Sequence, residues 1–556
     1  MSETPQTEPN ETEISEGIPA PEGASEIIET DYEIGQDNFE AQIGPFGLDV
    51  HNPVFAISGA VVIAFVFYTL ALPEQAGSIF SWLFSFATKT FDWFFLGAAN
   101  IFVIFCLLLI VTPLGSVRLG GAEATPDYGY PGWFAMLFAA GMGIGLMFFG
   151  VLEPVYHMAV SSPLGVPSPF DADGNLIPEN VDAAKAMGLA ATIFHWGLHP
   201  WAIYAVMALA LALFSYNKGL PLTVRSAFYP LLGERVWGWW GHIIDILAVF
   251  ATLFGLATSL GFGAQQVNAG LNHVFGLPIG ATMQVLIITF ITAIALVSVV
   301  RGLDGGVKVL SEINMVLAAA LLIFVLLVGP TLMIFSDFGS GLWNYLVDLV
   351  PLSNPVGRED TDFVQGWTSF YWAWWISWSP FVGMFIARVS RGRTVREFVI
   401  CVLIIPSLVC VLWMAVFGGV AIDQVLSDPA TSQVKANVID SYNPPLSLFA
   451  MLEGLPLSSI TSVLAVVLVI VFFVTSSDSG SLVIDTITAG GKVDAPVPQR
   501  VFWACFEGAV AIVLLLSAGG LSSLQSMVIS TGLPFTLVLL VMCIAIWRGL
   551  QAERRV

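Results

Sequence analysis

The sequence predicts an all-α protein that crosses a membrane many times. Of its 556 residues, 56% are hydrophobic and only 11% are charged, and the mean hydropathy is +0.82. A soluble domain is nearer a quarter charged. Apolar runs of about 20 residues, long enough to cross a bilayer as a helix, recur along the whole chain. These runs are continuous and do not alternate with polar residues, which indicates helices and excludes a β-barrel.

Twelve apolar runs define the predicted spans. They are 54–72, 93–113, 133–152, 184–215, 240–270, 278–299, 312–334, 367–387, 397–419, 459–477, 501–517 and 528–547. If the N-terminus is cytoplasmic, 15 of the 19 Lys and Arg residues fall in inner segments and 4 fall in outer segments. This distribution obeys the positive-inside rule. It therefore supports twelve spans with both termini in the cytoplasm.

The N-terminal 50 residues are predicted to form a disordered cytoplasmic tail. They carry 13 Asp or Glu residues and no Lys or Arg. A segment so acidic and so rich in Glu, Pro, Ser and Thr cannot bury enough apolar surface to fold alone. It has no apolar core of the kind that a signal peptide needs. The acidity argues against nucleic acid as a partner, and it leaves open a merely solvated tail or a regulatory one.

Beyond the tail, the spans divide into two extra helices and two sets of five. The predicted segments are the tail, the two extra spans, the first repeat, an amphipathic outer connector, the second repeat and a short basic cytoplasmic end: 1–50, 51–132, 133–337, 338–366, 367–547 and 548–556. Because five is odd, the second set enters the membrane from the opposite side to the first. The sequence therefore predicts two inverted five-helix repeats.

Helix breakers occur in the first span of each repeat. Gly141, Gly143 and Gly145 weaken the helix of span 3. Pro380 removes a backbone donor in span 8, where neighbouring serine hydroxyls can bond the freed carbonyl. Glycines alone are explained equally well by tight helix packing. Paired interruptions at matching positions of two repeats, however, favour a transporter's binding site.

Aromatic side chains share one face in each of two spans. They are Trp196, Trp201 and Tyr204 in span 4, and Trp374, Trp375 and Trp378 in span 8. Two such faces would form a cage for a cation that donates no hydrogen bonds, such as trimethylammonium. No Asp or Glu was found at mid-membrane in spans 3, 4 or 8, which favours a ligand with its own carboxylate, held by backbone N–H groups at the glycine break. The alternative of core packing or an interfacial belt fits Trp375 less well, because it lies near the middle of its span.

These stretches resemble the hallmark motifs of the betaine/carnitine/choline transporters. The matching motifs are GMGIG in span 3, FHWGLHPWAIY in span 4 and FYWAWWISWSPFVGMFIARVSRGRTVREF at 370–398. The resemblance covers spans 1 to 12 and implies the fold of the neurotransmitter:sodium symporters, a homotrimer and the bacterial inner membrane. It also implies that the trimethylammonium box is formed by Trp196, Trp201, Tyr204 and Trp375, with Met142 beside it and Trp378 below.

The resemblance further implies a sodium ion as the coupling ion. Sodium prefers hard oxygen ligands, and the implied site combines the hydroxyls of Thr475 and Ser476 with backbone oxygens of Ala139, Met142 and Phe472. Proton-coupled members of the family carry an acid where this chain has Gly145, so the glycine favours sodium.

A second sodium site, present in some members of the family, is incomplete in this sequence. Thr252 and Phe381 match two of its residues. Leu256 stands where the second threonine would be, and its side chain offers no oxygen. The resemblance therefore implies one complete sodium site.

The sequence as a whole predicts a sodium-coupled symporter of a zwitterionic quaternary ammonium or sulfonium osmolyte such as glycine betaine. Alternatives within the class are uptake of choline, carnitine or dimethylsulfoniopropionate for catabolism, and a proton-coupled or exchange mechanism. An enzyme is not expected, because no nucleophile–base pair stands out and the pair His195 and His199 lacks a third metal ligand. A channel would not need paired broken helices around a cage. No cofactor is expected besides the coupling ion.

Overall fold

The computed structural model describes residues 18–43, 46–141, 143–301, 308–493 and 495–555. Within these ranges the chain is almost entirely helical. The helices are α1 Val54–Ala71, α2 Pro73–Val111, α3 Tyr130–Gly141, α4 Ile144–Ala159, α5 Pro178–Trp196, α6 Leu198–Ala212, α7 Tyr229–Leu232, α8 Trp239–Phe275, α9 Ala281–Arg301, α10 Lys308–Val328, α11 Thr331–Ser353, α12 Thr361–Phe363, α13 Ser369–Arg388, α14 Val395–Trp413, α15 Gly419–Ser427, α16 Ser447–Glu453, α17 Ser458–Thr488, α18 Val497–Leu516 and α19 Leu521–Glu553. Two short strands, β1 Asn38–Ile43 and β2 Phe46–His51, pair antiparallel.

The membrane-spanning character of the chain is confirmed. Among the described residues, ten helical stretches are long and apolar enough to cross a bilayer, and the bent pair α3 and α4 makes an eleventh. The remaining predicted span is α13, which is less apolar because tryptophan and serine replace aliphatic residues, although most of its side chains are buried. In an apolar 18-residue segment of the α5–α6 stretch 94% of the residues are buried, whereas in the corresponding segment of α10 22% are buried. The core therefore lies around α5 and α6, and α10 lies at the periphery of the single chain.

The two predicted repeats pack on each other reciprocally. The first helix of the second set, α13, packs against α6 of the first set. In return, α3 and α4 pack against α14 and the π-helical turn Met414–Gly418 that continues it. The third helices of the two sets, α8 and α17, pack along each other. Two sets related by a two-fold axis in the membrane plane produce this arrangement.

The prediction of paired interruptions is wrong in the second repeat. The helix α13 runs through Pro380 without a break. A proline leaves the carbonyl four residues earlier without its donor, and here that carbonyl belongs to Ile376. The Ser379 hydroxyl donates to the Ile376 oxygen at 2.7 Å, whereas the Ser377 hydroxyl bonds to the backbone of α19. Because the freed carbonyl is bonded locally, the helix continues.

The prediction of a disordered tail is wrong for the part of the tail that the structure describes. Residues 18–37 form no helix and run along the loops at one end of the helices. The Glu22 carboxylate lies 2.5 Å from the Arg391 guanidinium, and Glu26 lies 2.5 Å from the Lys218 ammonium. The Tyr32 ring stacks on Trp237 at 4.3 Å between centroids. Composition alone predicted disorder because it cannot reveal the basic side chains that the loops present to these carboxylates.

The hairpin β1–β2 docks on the loop between α17 and α18. The Lys492 ammonium lies 2.5 Å from the Asp49 carboxylate and 3.1 Å from that of Glu40. The Asp49 amide also donates to the side-chain oxygen of Gln499 at 2.5 Å. These contacts join the acidic segment to the second repeat.

The outer connector is a longer helix than predicted. The amphipathic pattern placed it at 338–350, and α11 begins seven residues earlier, at Thr331. The Asp337 carboxylate accepts an ion pair from Lys185 of α5 at 2.8 Å, which anchors the helix to the first repeat. Burial raises the pKa of Asp337, and the Lys185 ammonium opposes that rise.

We expect Lys492→Ala to loosen the hairpin. An ion pair of this partly exposed kind contributes up to about 1 kcal/mol, so amide hydrogen exchange in β1 and β2 should accelerate by up to about fivefold. Hydrogen–deuterium exchange with mass spectrometry measures this, and Lys89→Ala, at an exposed lysine of α2, serves as the control. Equal exchange in both variants would show that Lys492 does not hold the hairpin.

Candidate functional site

The third span breaks at the predicted glycines. The helix α3 ends at Gly141, α4 begins at Ile144, and the two helices are bent by 67°. Gly143 lies in the break with an extended backbone, φ −173° and ψ −175°. Met142 lies outside the described residues. The break leaves the first N–H groups of α4 without helical acceptors, so they are available to another group.

The sequence analysis predicts that Gly145 belongs to the break. In the structure it lies instead in the first turn of α4. Its reason for being glycine is close packing: a Cβ there would lie 2.8 Å from a Trp196 ring carbon and 3.0 Å from a Trp374 ring carbon. At Gly143, a Cβ would meet no atom within 4 Å. The hinge is therefore shorter than the glycine pattern predicts.

The start of α4 faces a cavity that is walled by aromatic rings. Its lining includes the six aromatic residues that the sequence analysis singled out, together with Ser259. They are Trp196, Trp201, Tyr204, Trp374, Trp375 and Trp378. The helices α4, α6 and α13 and the end of α5 supply most of this lining. The structure thus brings the predicted aromatic residues of spans 4 and 8 to one place.

Several neighbouring rings of the aromatic cavity stand nearly at right angles, although Trp374 and Trp375 stack on each other. Trp375 is perpendicular to Trp196, with centroids 4.9 Å apart, and to Tyr204, at 5.9 Å. Tyr204 is in turn perpendicular to Trp201, at 5.4 Å. Perpendicular rings present their faces from different directions, so a group in the cavity can contact more than one ring face.

Hydrogen bonds orient three of the five tryptophans that line this cavity. The indole N–H of Trp375 donates to the His195 backbone oxygen at 3.0 Å, and that of Trp374 donates to the Ser259 hydroxyl at 3.2 Å. The indole N–H of Trp196 donates to the Glu153 carboxylate at 2.7 Å. The Tyr204 hydroxyl, by contrast, is buried and has no partner within the described part of the chain.

The three residues of span 4 reach the cavity across a helix break that the sequence analysis missed. The projection of Trp196, Trp201 and Tyr204 assumed one continuous helix, but α5 ends at Trp196 and α6 begins at Leu198. A Cβ at the intervening Gly197 would lie 2.7 Å from the Ile193 oxygen and 3.1 Å from the Tyr345 hydroxyl. Tyr345, in α11, also accepts a hydrogen bond from the Leu198 amide.

Glu153 is a buried acid that the sequence analysis missed. The predicted span 3 ended at residue 152, whereas α4 continues to Ala159. Glu153 therefore lies within the helix, and its carboxylate meets His157 and His195. An acid and a histidine four residues apart in an otherwise apolar run was the available signal. His199 lies elsewhere, with its Nε2 atom 3.0 Å from the Asn100 side-chain oxygen.

A second cavity lies between α3, α10, α13 and α17 and includes most of the predicted sodium ligands. Ala139, Phe472, Thr475 and Ser476 all line this cavity, and Met142 is outside the described residues. Ala140 and Trp378 line both cavities. The second cavity extends toward the start of α3 and the end of α13, which is the predicted cytoplasmic side.

The Thr475 hydroxyl is bonded within its helix and to a neighbouring one. It lies 3.0 Å from the Val471 oxygen and 3.2 Å from the Phe472 oxygen, to which it can donate. It accepts from the Asn314 amide of α10 at 3.2 Å. The side-chain oxygen of Asn314 is buried and has no hydrogen-bond partner in the described part of the chain. Sequence reasoning missed this asparagine, which brings one more hard oxygen close to the predicted ion site.

The two residues predicted for the incomplete second sodium site, Thr252 and Phe381, do not line the same described cavity. Phe381 lines the second cavity, and its ring lies 5.2 Å from that of Trp378. The Thr252 hydroxyl donates to the Ala248 oxygen at 2.8 Å within α8. Leu256 packs on α17 so closely that a Cβ at Gly480 would lie 2.2 Å from its side chain. At this position the leucine fills the interface between α8 and α17.

Comparison with known proteins identifies close relatives over the full length of the described spans. The family model of the betaine/carnitine/choline transporters matches residues 53–555. A glycine betaine/proline/choline transporter of Vibrio parahaemolyticus is 60% identical over 549 residues, which cover 98% of each protein. Glycine betaine transporter 1 of the same species is 56% identical, covering 95% of this chain and 98% of the relative. The glycine betaine transporter OpuD of Bacillus subtilis is 42% identical, covering 91% and 95%.

We expect Gly145→Ala to perturb the aromatic wall and Gly143→Ala to leave it intact. The added methyl group at residue 145 must push two indole rings, and such overpacking costs about 1–3 kcal/mol. The melting temperature and the intrinsic tryptophan fluorescence of the two purified variants provide the comparison. If both variants have the melting temperature and the tryptophan fluorescence of the parent, the inference of close packing around Gly145 is wrong.

Proposed function

Because the chain belongs to the betaine/carnitine/choline transporter family, we propose that it takes up glycine betaine, or a closely related onium osmolyte, by sodium-driven symport. It is a multi-pass membrane transporter and not an enzyme. The observation that carries the finer proposal is the cavity walled by perpendicular aromatic rings, which adjoins a second cavity that contains hydroxyl groups.

The aromatic cavity suits a fully methylated onium group. Such a group cannot donate hydrogen bonds, but each ring face attracts it by about 0.5–2 kcal/mol. No charged side chain lines this cavity within the described residues. A buried charge without a counter-charge is strongly unfavourable. A zwitterion meets this constraint, because it brings its own carboxylate.

The carboxylate of a bound zwitterion has a source of hydrogen bonds at the cavity wall. It is the N-terminal end of α4, where Ile144, Gly145 and Leu146 line the cavity and the helix dipole favours negative charge. The onium group would then lie among the rings, with the carboxylate directed toward α4.

Choline and proline would each use only part of this site. The 60% identical relative is named for proline and choline as well as glycine betaine. Choline carries the trimethylammonium group without a carboxylate, and proline carries a carboxylate without methyl groups. We therefore place glycine betaine first and keep choline, carnitine or dimethylsulfoniopropionate as the second candidate.

Sodium coupling is supported by the oxygens gathered at the second cavity. Hydroxyls and carbonyls are the ligands that sodium prefers, and Thr475 and Ser476 line this cavity with Ala139 and Phe472. Since α3 ends at the glycine break, an ion bound to its last carbonyls would stabilise one arrangement of α3 and α4. Ion binding at one cavity would in this way favour substrate binding at the other, which is the coupling that symport needs.

Trp378 is the proposed barrier in alternating access. It lines both cavities, and its ring lies between the aromatic wall and the predicted cytoplasmic side. The second cavity would be the inner vestibule of an inward-facing state. Movement at the break before α4 would open and close the passage around Trp378.

The assembly and location remain proposals. We propose a homotrimer in the bacterial inner membrane with both termini in the cytoplasm. One face of α11 supports the trimer, because Leu332, Phe335 and Trp343 are exposed on it. Exposed apolar side chains of this kind contact lipid or another subunit.

We expect Trp375→Ala to raise the KM for glycine betaine about tenfold or more. The change removes a ring wall, and a loss of about 1.4 kcal/mol corresponds to a factor of ten in affinity. Uptake into proteoliposomes gives the KM, and Trp82→Ala, at an exposed tryptophan of α2, is the control. Dimethylglycine should compete less well than glycine betaine. A parental KM in Trp375→Ala would contradict the cage.

We expect one sodium ion to be required, with a Hill coefficient near one, since Leu256 replaces a ligand of the second site. Combining Thr475→Ala with Ser476→Ala should abolish sodium-driven accumulation, because both side-chain ligands are lost. Ser479→Ala, at another hydroxyl of the same cavity, should retain it. Accumulation by the double variant would point to a proton-coupled or exchange mechanism, and a Hill coefficient approaching two would reveal a second ion.

A further inference from the structure

We propose that Glu153 is the positioning residue of the aromatic cavity, because its buried carboxylate orients both Trp196 and Trp375. The inference rests on the proposed function and adds a group that does not itself line the cavity. Glu153 acts through the rings, and a ligand in the cavity would contact the rings.

One carboxylate oxygen of Glu153 holds aromatic residues from two helices. Its Oε2 atom accepts from the Trp196 indole N–H at 2.7 Å and from the Tyr371 hydroxyl at 2.6 Å. The Tyr371 ring packs against both tryptophans of the wall: its centroid lies 5.7 Å from that of Trp196 and 6.0 Å from that of Trp375. A single atom therefore sets the relative position of span 4 and span 8 beside the cavity.

The other oxygen of Glu153 holds two histidines. Its Oε1 atom lies 2.5 Å from His195 Nδ1 and 3.1 Å from His157 Nε2. The far nitrogens of these rings are bonded as well, His195 Nε2 to the Thr368 hydroxyl at 2.9 Å and His157 Nδ1 to the Ser161 hydroxyl at 2.7 Å. Each imidazole is thus fixed at both ends.

His195 extends the influence of Glu153 to the second tryptophan. Its backbone oxygen accepts the Trp375 indole N–H at 3.0 Å. Trp196, the next residue in the chain, bonds Glu153 directly. The two perpendicular rings of the wall therefore depend on the same carboxylate, one directly and one through His195.

The environment of Glu153 explains why a neutral, apolar residue cannot replace it. Its side chain and those of His157 and His195 are fully buried. A carboxylate has lone pairs for four donors, and this one meets four. Removing it would leave the Trp196 and Tyr371 donors unpaired in the protein interior, which is unfavourable. The rings would turn to find other acceptors, and the shape of the cavity would change.

A metal ion is the competing occupant of this cluster. Ligand atoms of Glu153, His157 and His195 lie within 4.8 Å of one another. However, the hydrogen bonds described above already engage the carboxylate and both nitrogens of each ring. We therefore assign the cluster to positioning and make metal binding an outcome of the test.

The test compares Glu153→Gln with Glu153→Met. Glutamine keeps an oxygen that accepts from Trp196 and Tyr371, and its NH₂ group faces the two histidines. Each histidine can accept a hydrogen bond from this NH₂ group if its ring proton moves to the other nitrogen. That nitrogen then donates to the hydroxyl of Ser161 or Thr368, which can accept. Methionine keeps the volume and offers only a weak acceptor. In proteoliposomes, we expect the KM for glycine betaine to stay within about threefold of the parent for Gln and to rise tenfold or more for Met, with Vmax within about threefold for both.

Several outcomes would overturn the proposal. A parental KM in Glu153→Met, or a lost Vmax at parental KM, would mean that Glu153 does not position the rings. If Glu153→Met does not fold, Tyr371→Phe provides the test, because it removes one donor to Glu153 and keeps the ring. A raised KM in Tyr371→Phe would support the positioning role of Glu153, and a parental KM would overturn it. Loss of parental uptake on chelation, restored by Zn²⁺, would assign the cluster to a metal. A parent that does not transport glycine betaine would instead overturn the proposed function.

Discussion

The arrangement of the site depends on one constraint, which is that a backbone N–H or C=O group inside a membrane must find a partner within the protein. The break between Gly141 and Ile144 leaves such groups at the start of α4. They are tolerable because they face a cavity and not lipid. A ligand with a carboxylate can complete their bonding, so the same irregularity that destabilises the helix prepares a binding site. The aromatic residues gather where this helix end is exposed.

The matching position of the second repeat obeys the same constraint in a different way. Pro380 also deprives a carbonyl of its donor, but the Ser379 hydroxyl bonds that carbonyl at 2.7 Å. The helix α13 therefore stays continuous and carries its tryptophans as a rigid row. One repeat supplies a bent element and the other supplies a stiff one, and the cavity lies between them. Such a pair suits a transporter in which one element moves against another.

Charge is distributed in the molecule according to the same requirement for partners. The acid Glu153 is buried among four donors, and Asp245 lies 3.0 Å from the Arg225 guanidinium. At the predicted cytoplasmic surface, Glu22 and Glu26 of the acidic segment pair with Arg391 and Lys218. The cavity itself has no charged lining within the described residues. These acids thus have hydrogen-bond or ion-pair partners, and the aromatic cavity is left to rings, hydroxyls and backbone groups.

The sequence by itself determined the membrane class, the approximate spans, the aromatic residues of the cavity and the position of the break near Gly141. Each of these follows from local patterns: apolar run length, positive charges between runs, and glycines within a run. Only the tertiary structure decided that Gly145 makes room for two indole rings, that α13 stays whole and that the acidic segment docks. Glu153 shows the reason. Its partner Tyr371 is 218 residues away, and no local pattern pairs a carboxylate with a hydroxyl that distant, because folding alone brings α4, α5 and α13 together.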